Sequence, residues 1–361
     1  GSLSCEIKNV HITLGSYFSE ISHKENGGGK AKKVIYTVGF TSKKACEPFE
    51  AILQVEVGSS IIQFFPESSR TYSIPSSKAE GADSHFYFFS VTDAIPNKSK
   101  FKYRIVSKTE VAGPFYFSSY FYSGNIDSIK VFSEHDHKRI GVKTIQRLEE
   151  EEYDLLILNG NFAHYYHSEE GETGNQYFQA MQRLMTKTPV IIMPGKRENF
   201  DRFNMFNNRF VMPGAKSAAD NAVFRFALGK NVFIAINLEA VLQEEVFGSV
   251  VFQNLIEKFE EFLKEAEASN PSSILVITNV ALYCSSGKVG GCHSNLLYLK
   301  PFEDLIDKYK VNLVLTSGVK FYETVKPVYS LKPKRYSSFL YINTGAGGAT
   351  NFISNTPLRV E

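Results

Sequence analysis

The chain has no Trp, only four Cys, no excess of charge of either sign and no long apolar run. Lys and Arg number 40 against 38 Asp and Glu over 361 residues, so no global field favours nucleic acid or an anionic membrane surface. No run reaches the roughly 18 apolar residues needed to span a bilayer. The longest, from Ile274 to Val280, is interrupted by Thr278 and Asn279. The four cysteines, Cys5, Cys46, Cys284 and Cys292, permit two disulfides in three connectivities. The pairs local in sequence are the simplest of these, and four buried free thiols are the alternative. The chain opens on Gly1 rather than Met, as a mature product would, and the lack of a leader says nothing about compartment.

Against these shortages stand 30 Phe and 19 Tyr, an aromatic load that suits pleated β cores. Hydrophobic residues at 43% and charged residues at 22% are the balance of an ordinary globular chain. Residues 1 to 122 read as strands alone. Short apolar-alternating runs recur at Val34 to Phe40, Ala51 to Val57, Ile61 to Phe65, Phe86 to Val91, Phe101 to Val106 and Phe115 to Tyr122. Turn-rich stretches such as Gly27-Gly28-Gly29 and Ser76 to Asp83 separate them. This spacing without helical periodicity predicts a β-sandwich, of fibronectin-III-like kind, over 1–122. Phe86-Tyr87-Phe88-Phe89 places rings on both faces of one strand. Core packing accounts for one face, and a neighbouring domain or a partner for the other. Asn97-Lys98-Ser99 is a glycosylation sequon.

From residue 123 to 361 strands and helices alternate, which predicts a layered α/β domain with its site at loops beyond the strand ends. Strands are expected at Ile129 to Phe132, Leu155 to Leu158, Val190 to Met193, Val223 to Ala227, Val232 to Ile236, Ile274 to Ile277, Leu313 to Leu315 and Phe339 to Ile342. Helices are expected through Ile145 to Glu152, Gln176 to Met185 and Val251 to Ala268. In the last, Leu255, Phe259, Phe262, Leu263 and Ala266 share one face, and Asn270-Pro271 ends it.

The loops after these strands resemble those of purple acid phosphatases. Pro194-Gly195, then Asn204 to Phe210 and Val211-Met212-Pro213-Gly214, are similar to the family's PGNHE … RFxMPG stretch. Tyr283-Cys284-Ser285 with Cys292 is similar to its YCS … C. Asp307 to Leu315 is similar to KYGVDLVL. Tyr322-Glu323-Thr324 with Pro327-Val328-Tyr329 is similar to YERTxPVY, and Gly345-Ala346-Gly347-Gly348 to a late glycine turn. The resemblance covers residues 125 to 350 and implies a metallophosphoesterase (calcineurin-like) αββα sandwich after the β-sandwich. It also implies a disulfide between Cys284 and Cys292, while Cys5 with Cys46 would staple the sandwich. Both would place the chain in an oxidising compartment: secreted, or in a secretory or vacuolar lumen.

That family hydrolyses phosphate esters with two metal ions held by carboxylate, Tyr, Asn and His side chains. Carried over one position at a time, the resemblance leaves no ligand intact. The Asp of GDxG becomes Glu134. In GDxxY the bridging Asp becomes Asn161 and the Tyr becomes His164. In GNHE the Asn becomes Lys196 and the His becomes Arg197. The lone ligand His becomes Asn279. In GHxH the two His become Gly318 and Lys320. An ammonium offers donors and no lone pair. Beside a divalent cation at about 4 Å and an effective dielectric near 20, it repels by roughly 8 kcal/mol before relaxation. The resemblance therefore implies an inactive homologue without metal or other cofactor, serving a protein partner or its own assembly. Lys196, Arg197 and Lys320 remain open to three readings: solvated loop residues, an internal plug paired with Glu134, or a small-anion site. Five of the 8 His, at 135, 137, 164, 167 and 293, fall near these loops. A rebuilt single-metal phosphoesterase on Glu134, His135, His137 and His164 is the alternative function. The chain ends at Glu361, where relatives of that family run on with more sheet, so an unpaired strand edge is expected near the C-terminus.

Overall fold

A computed structural model describes residues 5–15, 34–47, 50–75, 83–92, 100–118, 128–133, 140–163, 166–242, 249–285, 292, 296–333 and 340–345. The first third is strands alone: β1 (Lys8–Leu14), β2 (Val34–Ser42), β3 (Ile52–Val57), β4 (Ser60–Phe64), β5 (Ser68–Ser73), β6 (Asp83–Thr92), β7 (Lys100–Val106) and β8 (Val111–Ser118). They pair antiparallel in two groups, in the orders β5-β6-β2-β1 and β4-β3-β7-β8. On β7 the two-residue period buries Phe101, Tyr103 and Ile105 and leaves Lys102 and Arg104 partly exposed. On β6 all of Phe86, Tyr87, Phe88 and Phe89 are buried. Tyr87 and Phe89 stack on Phe40 of β2. Phe86 and Phe88 instead lie under the guanidinium groups of Arg209 and Arg70. Arg70 also donates to the carbonyls of Asn207 and Phe210, in the α/β part of the chain. The second aromatic face of this strand therefore meets the rest of the molecule.

The remaining chain forms β9 (Ile129–Phe132), α1 (Ile140–Glu150), β10 (Leu155–Asn159), α2 (Glu172–Lys187), β11 (Val190–Met193), α3 (Asn204–Arg209), β12 (Val223–Leu228), β13 (Asn231–Ile236), α4 (Glu239–Leu242), α5 (Ser249–Ala268), β14 (Ser273–Thr278), α6 (Leu296–Lys308), β15 (Leu313–Thr316), β16 (Tyr322–Val325), the hairpin β17 (Val328–Tyr329) and β18 (Lys332–Pro333), and β19 (Leu340–Thr344). One sheet runs β12-β13-β14-β15-β19-β16. Its four inner strands are parallel, and β12 and β16 pair antiparallel at its edges. The other holds β9, β10 and β11 in parallel. β10 and β11 are buried at every residue, as parallel strands covered on both faces must be.

The two sheets face each other. Leu275, Ile277, Leu313 and Leu315 share the core of β10 and β11, while Val276 and Val314 on alternate positions pack with Phe259 and Leu263 of α5 and Phe302 of α6. The mixed α/β architecture thus matches the expectation. Phe262, read as a core position, is only partly buried and lies under Lys258 and Arg225.

Of the elements not legible beforehand, three have a plain reason. β5 is polar with one buried side chain. α6 carries Pro301 within it. β1 contains a register shift between Lys8 and His11, with Asn9 at φ 53°, so its apolar residues do not alternate. β1 also pairs in parallel with β11 at Thr13 and Val190, which joins the β5-β6-β2-β1 group to β11-β10-β9 as one seven-stranded sheet. The change of sequence pattern near residue 122 therefore does not interrupt this sheet. Both disulfides, Cys5–Cys46 and Cys284–Cys292, are formed and no Cys is free, which disposes of the free-thiol alternative.

Candidate functional site

The C-terminal ends of β9, β10, β11, β14 and β15 meet where the two sheets abut, and the described matched positions, Asn161, Lys196, Asn279, Gly318 and Lys320, lie on the loops that follow β10, β11, β14 and β15. Two glycines allow the approach. Gly160 has φ 76°, and a Cβ on it would come within 2.9 Å of Ser317 Oγ and 3.2 Å of Gly195 Cα. A Cβ on Gly195 would sit 2.3 Å from the Asn161 nitrogen. The loops after β10 and β11 are thus in backbone contact, and the Ser317 side chain of the loop after β15 closes on them.

Asn279 is completely buried and spends its hydrogen-bonding capacity within the protein. Its Nδ2 donates to the Pro194 carbonyl at 2.5 Å and to Asn237 Oδ1 at 2.6 Å. Its Oδ1 accepts from the Leu238 and Glu239 nitrogens at 2.9 and 3.2 Å. An amide has two donors and two acceptor lone pairs, and all four are used. Asn279 therefore braces the loop after β11 against the start of α4. Asn161 is held at φ 50° and accepts from the Arg197 nitrogen at 3.1 Å. Gly195 N donates to Glu198 Oε2 at 2.7 Å, and that carboxylate is fully buried.

More polar residues knit the sheets together around this centre. Asn159 Nδ2 donates to the Thr278 carbonyl at 2.9 Å. Ser133 Oγ donates to the Thr344 carbonyl, and Thr344 Oγ1 to the Thr316 carbonyl at 2.9 Å. Asn343 Nδ2 reaches Glu323 Oε1 at 2.6 Å, and Glu323 in turn receives the Ser285 nitrogen. Sequence reasoning did not single out Ser133, Asn159, Asn237, Glu198 or Asn343. Their only signal was a polar residue at the end of an otherwise apolar strand, or just after it.

Lys196 is exposed, and Arg197 and Lys320 are half-buried. Gly318 is exposed with φ 89°. His167 lies flat on Phe200 with ring centroids 4.2 Å apart, and burial lowers its pKa. Among the described residues, no three His, Cys, Asp or Glu come together in a metal-holding group. Glu134, His135, His137, His164, His293 and the sequon Asn97 lie outside the described residues. Among the described residues no helix is long and apolar enough to cross a membrane.

No family model matches the chain. It is 23% identical to zebrafish acid phosphatase type 7 over 209 residues, covering 53% of this chain and 46% of that protein. It is 24% identical to the human protein of the same name over 188 residues, covering 49% and 42%. The chain thus spans less than half the length of these curated relatives. Among solved structures, the purple acid phosphatase isolated from yellow lupin seeds superposes with a TM-score of 0.73 at 13% identity, covering 96% of this chain and 65% of that one. A structure of PhoD superposes with a TM-score of 0.57 at 10% identity, covering 96% and 79%. With the loop motifs placed at the strand ends, the chain has a purple acid phosphatase-like metallophosphoesterase fold and is similar in sequence to acid phosphatase type 7.

Proposed function

We propose that this chain is a catalytically inactive purple acid phosphatase homologue that acts as a structural or protein-binding module. The observation that carries this reading is Asn279. At the position matched to a ligand histidine, the side chain has no lone pair left for a metal, because two backbone nitrogens take them. Gly318 offers no side chain at another matched position, and Lys196 and Lys320 offer cations. Glu134, Asn161 and His164 complete the set of altered ligand positions. The scaffold outlives its site, so fold and function separate.

The strand orders β5-β6-β2-β1 and β4-β3-β7-β8 support a fibronectin-III-like sandwich over residues 1–122, with the inactive phosphoesterase domain over 123–361. Two disulfides support a secreted or lumenal protein, with a glycan on Asn97. Edge strands β8 and β16 carry exposed Val111, Tyr116 and Tyr322, side chains of the kind a protein partner or a second copy covers. Lys196, exposed at the surface, acts as a solvated loop cation.

Metal content tests the proposal. Protein purified without chelator is offered Fe, Zn and Mn, weighed for bound metal by mass spectrometry and assayed on p-nitrophenyl phosphate. Near-zero stoichiometry with no hydrolysis is expected. One or two tightly held ions per chain with turnover would overturn it, and Glu134 and His164 would be the first residues to replace.

A further inference from the structure

The sheet β4-β3-β7-β8 buries Leu53, Val55, Phe101, Tyr103, Ile105 and Phe117 on one face and turns the other to solvent. Alternation along each strand, with the pairing between strands, sorts that outer face into rows. In the first row Ile52 pairs with Val106 and Val106 with Val111. Phe65, two residues beyond Gln63, stands at the β4 end of this row. The second row is Gln63, Gln54 and Arg104. The third is Ile61, Glu56, Lys102 and Tyr116. Phe65 is 44% exposed, Ile61 51%, Val111 56% and Tyr116 59%. Apolar residues scattered singly on a surface are ordinary, but a whole apolar row with two further apolar corners marks a contact surface.

The polar centre of the face is paired within the sheet. Lys102 Nζ donates to Glu56 Oε2 at 3.0 Å, and Arg104 Nε to Gln54 Oε1 at 2.9 Å. Acceptors thus stand on β3 and donors on β7, which makes the face complementary to itself. A two-fold axis parallel to the strands, midway between β3 and β7 and just above the face, lays β3 over β7 of a second copy and β4 over β8. The rows keep their level. Glu56 then faces the partner's Lys102, and Gln54 the partner's Arg104. Ile52 faces the partner's Val106, Ile61 the partner's Tyr116, and Phe65 the partner's Val111. Acid meets base and apolar meets apolar at each of these positions. An axis across the strands would instead set the apolar row over Glu56 and Lys102 and bury charge against hydrocarbon. Aligned sheets pack about 10 Å apart and about 30° askew, which long side chains reaching from both sides can span.

We infer that this face is a self-association surface whose partner is a second copy of this chain, in an isologous dimer about that axis. The inference rests on the reading of the chain as a binding module and names the partner, but it uses no residue of the strand-end loops. Strand spacing and rise make the face roughly 20 Å on a side. That is about half of the roughly 800 Å² that a standard interface buries per partner, so the dimer is a weak one, with a Kd of about 10 μM.

The test is sedimentation equilibrium of the whole chain from about 1 to about 200 μM, a range that brackets that constant. A monomer–dimer equilibrium is expected. Val111→Lys sets a cation against the apolar row and should weaken the dimer about tenfold or more, while the exposure of Val111 keeps the melting temperature unchanged. Glu56→Lys and Lys102→Glu each set like charges against one another across the axis, so each variant alone should be monomeric. An equimolar mixture of the two should dimerise again, because position 56 of one copy faces position 102 of the other. A chain that stays monomeric throughout, a dimer untouched by Val111→Lys, or a mixture that does not recover would each overturn the inference. A metal-loaded, hydrolytic dimer would sink the inactive-homologue reading alone, and a metal-free monomer would sink this inference alone.

Discussion

Acidification should loosen this protein through one buried imidazole. His11 of β1 is 3% exposed, its Nδ1 lies 2.9 Å from the Asn9 carbonyl, and its ring meets Phe210 edge-on at 5.0 Å. Its Nε2 lies against Gly39, where a Cβ would come within 2.4 Å of it. Burial, opposed by the Asn9 bond and aided by the nearby Arg209 cation, lowers its pKa from 6.5 to about 4. Since the folded value lies below the unfolded one, the unfolded chain binds more protons between those two values. The stability is then present above pH 6.5 and is lost as pH falls toward 4. The loss amounts to about 2 kcal/mol at pH 5 and about 3 kcal/mol at pH 4. Urea melts of the wild type and of His11→Gln, at pH 7.5, 6, 5 and 4.5, separate this group from the carboxylates. The variant keeps a side-chain donor but does not titrate, so its stability should fall less with acid, by about 2–3 kcal/mol over that range. Parallel pH profiles for the two proteins would refute the reasoning.

Other side chains give sharp expectations. Arg209 is fully buried, bonded to Asn175 at 2.6 Å and packed on the rings of Phe86, Tyr166 and Phe178, so Arg209→Ala should cost about 3–5 kcal/mol in a chemical melt. Asn279→Ala leaves the Leu238 and Glu239 nitrogens without their acceptor, and should cost about 2–4 kcal/mol without altering any phosphatase activity, since none is expected. The Cys5–Cys46 bridge spans 41 residues of sequence, and Cys5→Ser with Cys46→Ser should lower stability by about 4 kcal/mol in the chain-entropy view. The same accounting gives about 2.5 kcal/mol for the Cys284–Cys292 bridge, which spans 8, so thermal melts of the two double variants should rank in that order.

The α/β part of the fold was legible because its strands are runs of Val, Ile and Leu and its loops keep recognisable motifs. α5 could be read from one apolar face, and its buried Phe259 and Leu263 follow that reading. The proposed loss of ligands rests on the sequence, since residue type alone says that Gly318 and the two lysines bring no lone pair. The role of Asn279 was not. An asparagine in a loop is compatible with ligand, solvent or brace, and only the distances to Pro194, Asn237, Leu238 and Glu239 decide.

Local periodicity and motif therefore determined most of the parallel strands, the long helix α5 and the loop motifs that follow the strands. Tertiary structure alone decided how distant segments meet. The parallel contact of Thr13 with Val190 joins strands far apart in the chain, and a hydrogen-bond ladder between backbones leaves no side-chain signature in either segment. The burial of His11 and Arg209 depends in the same way on β1, α2 and α3 closing on them from separate stretches of sequence. A side chain's pKa and its hydrogen-bond partners follow from its three-dimensional surroundings, which no window of neighbouring residues contains.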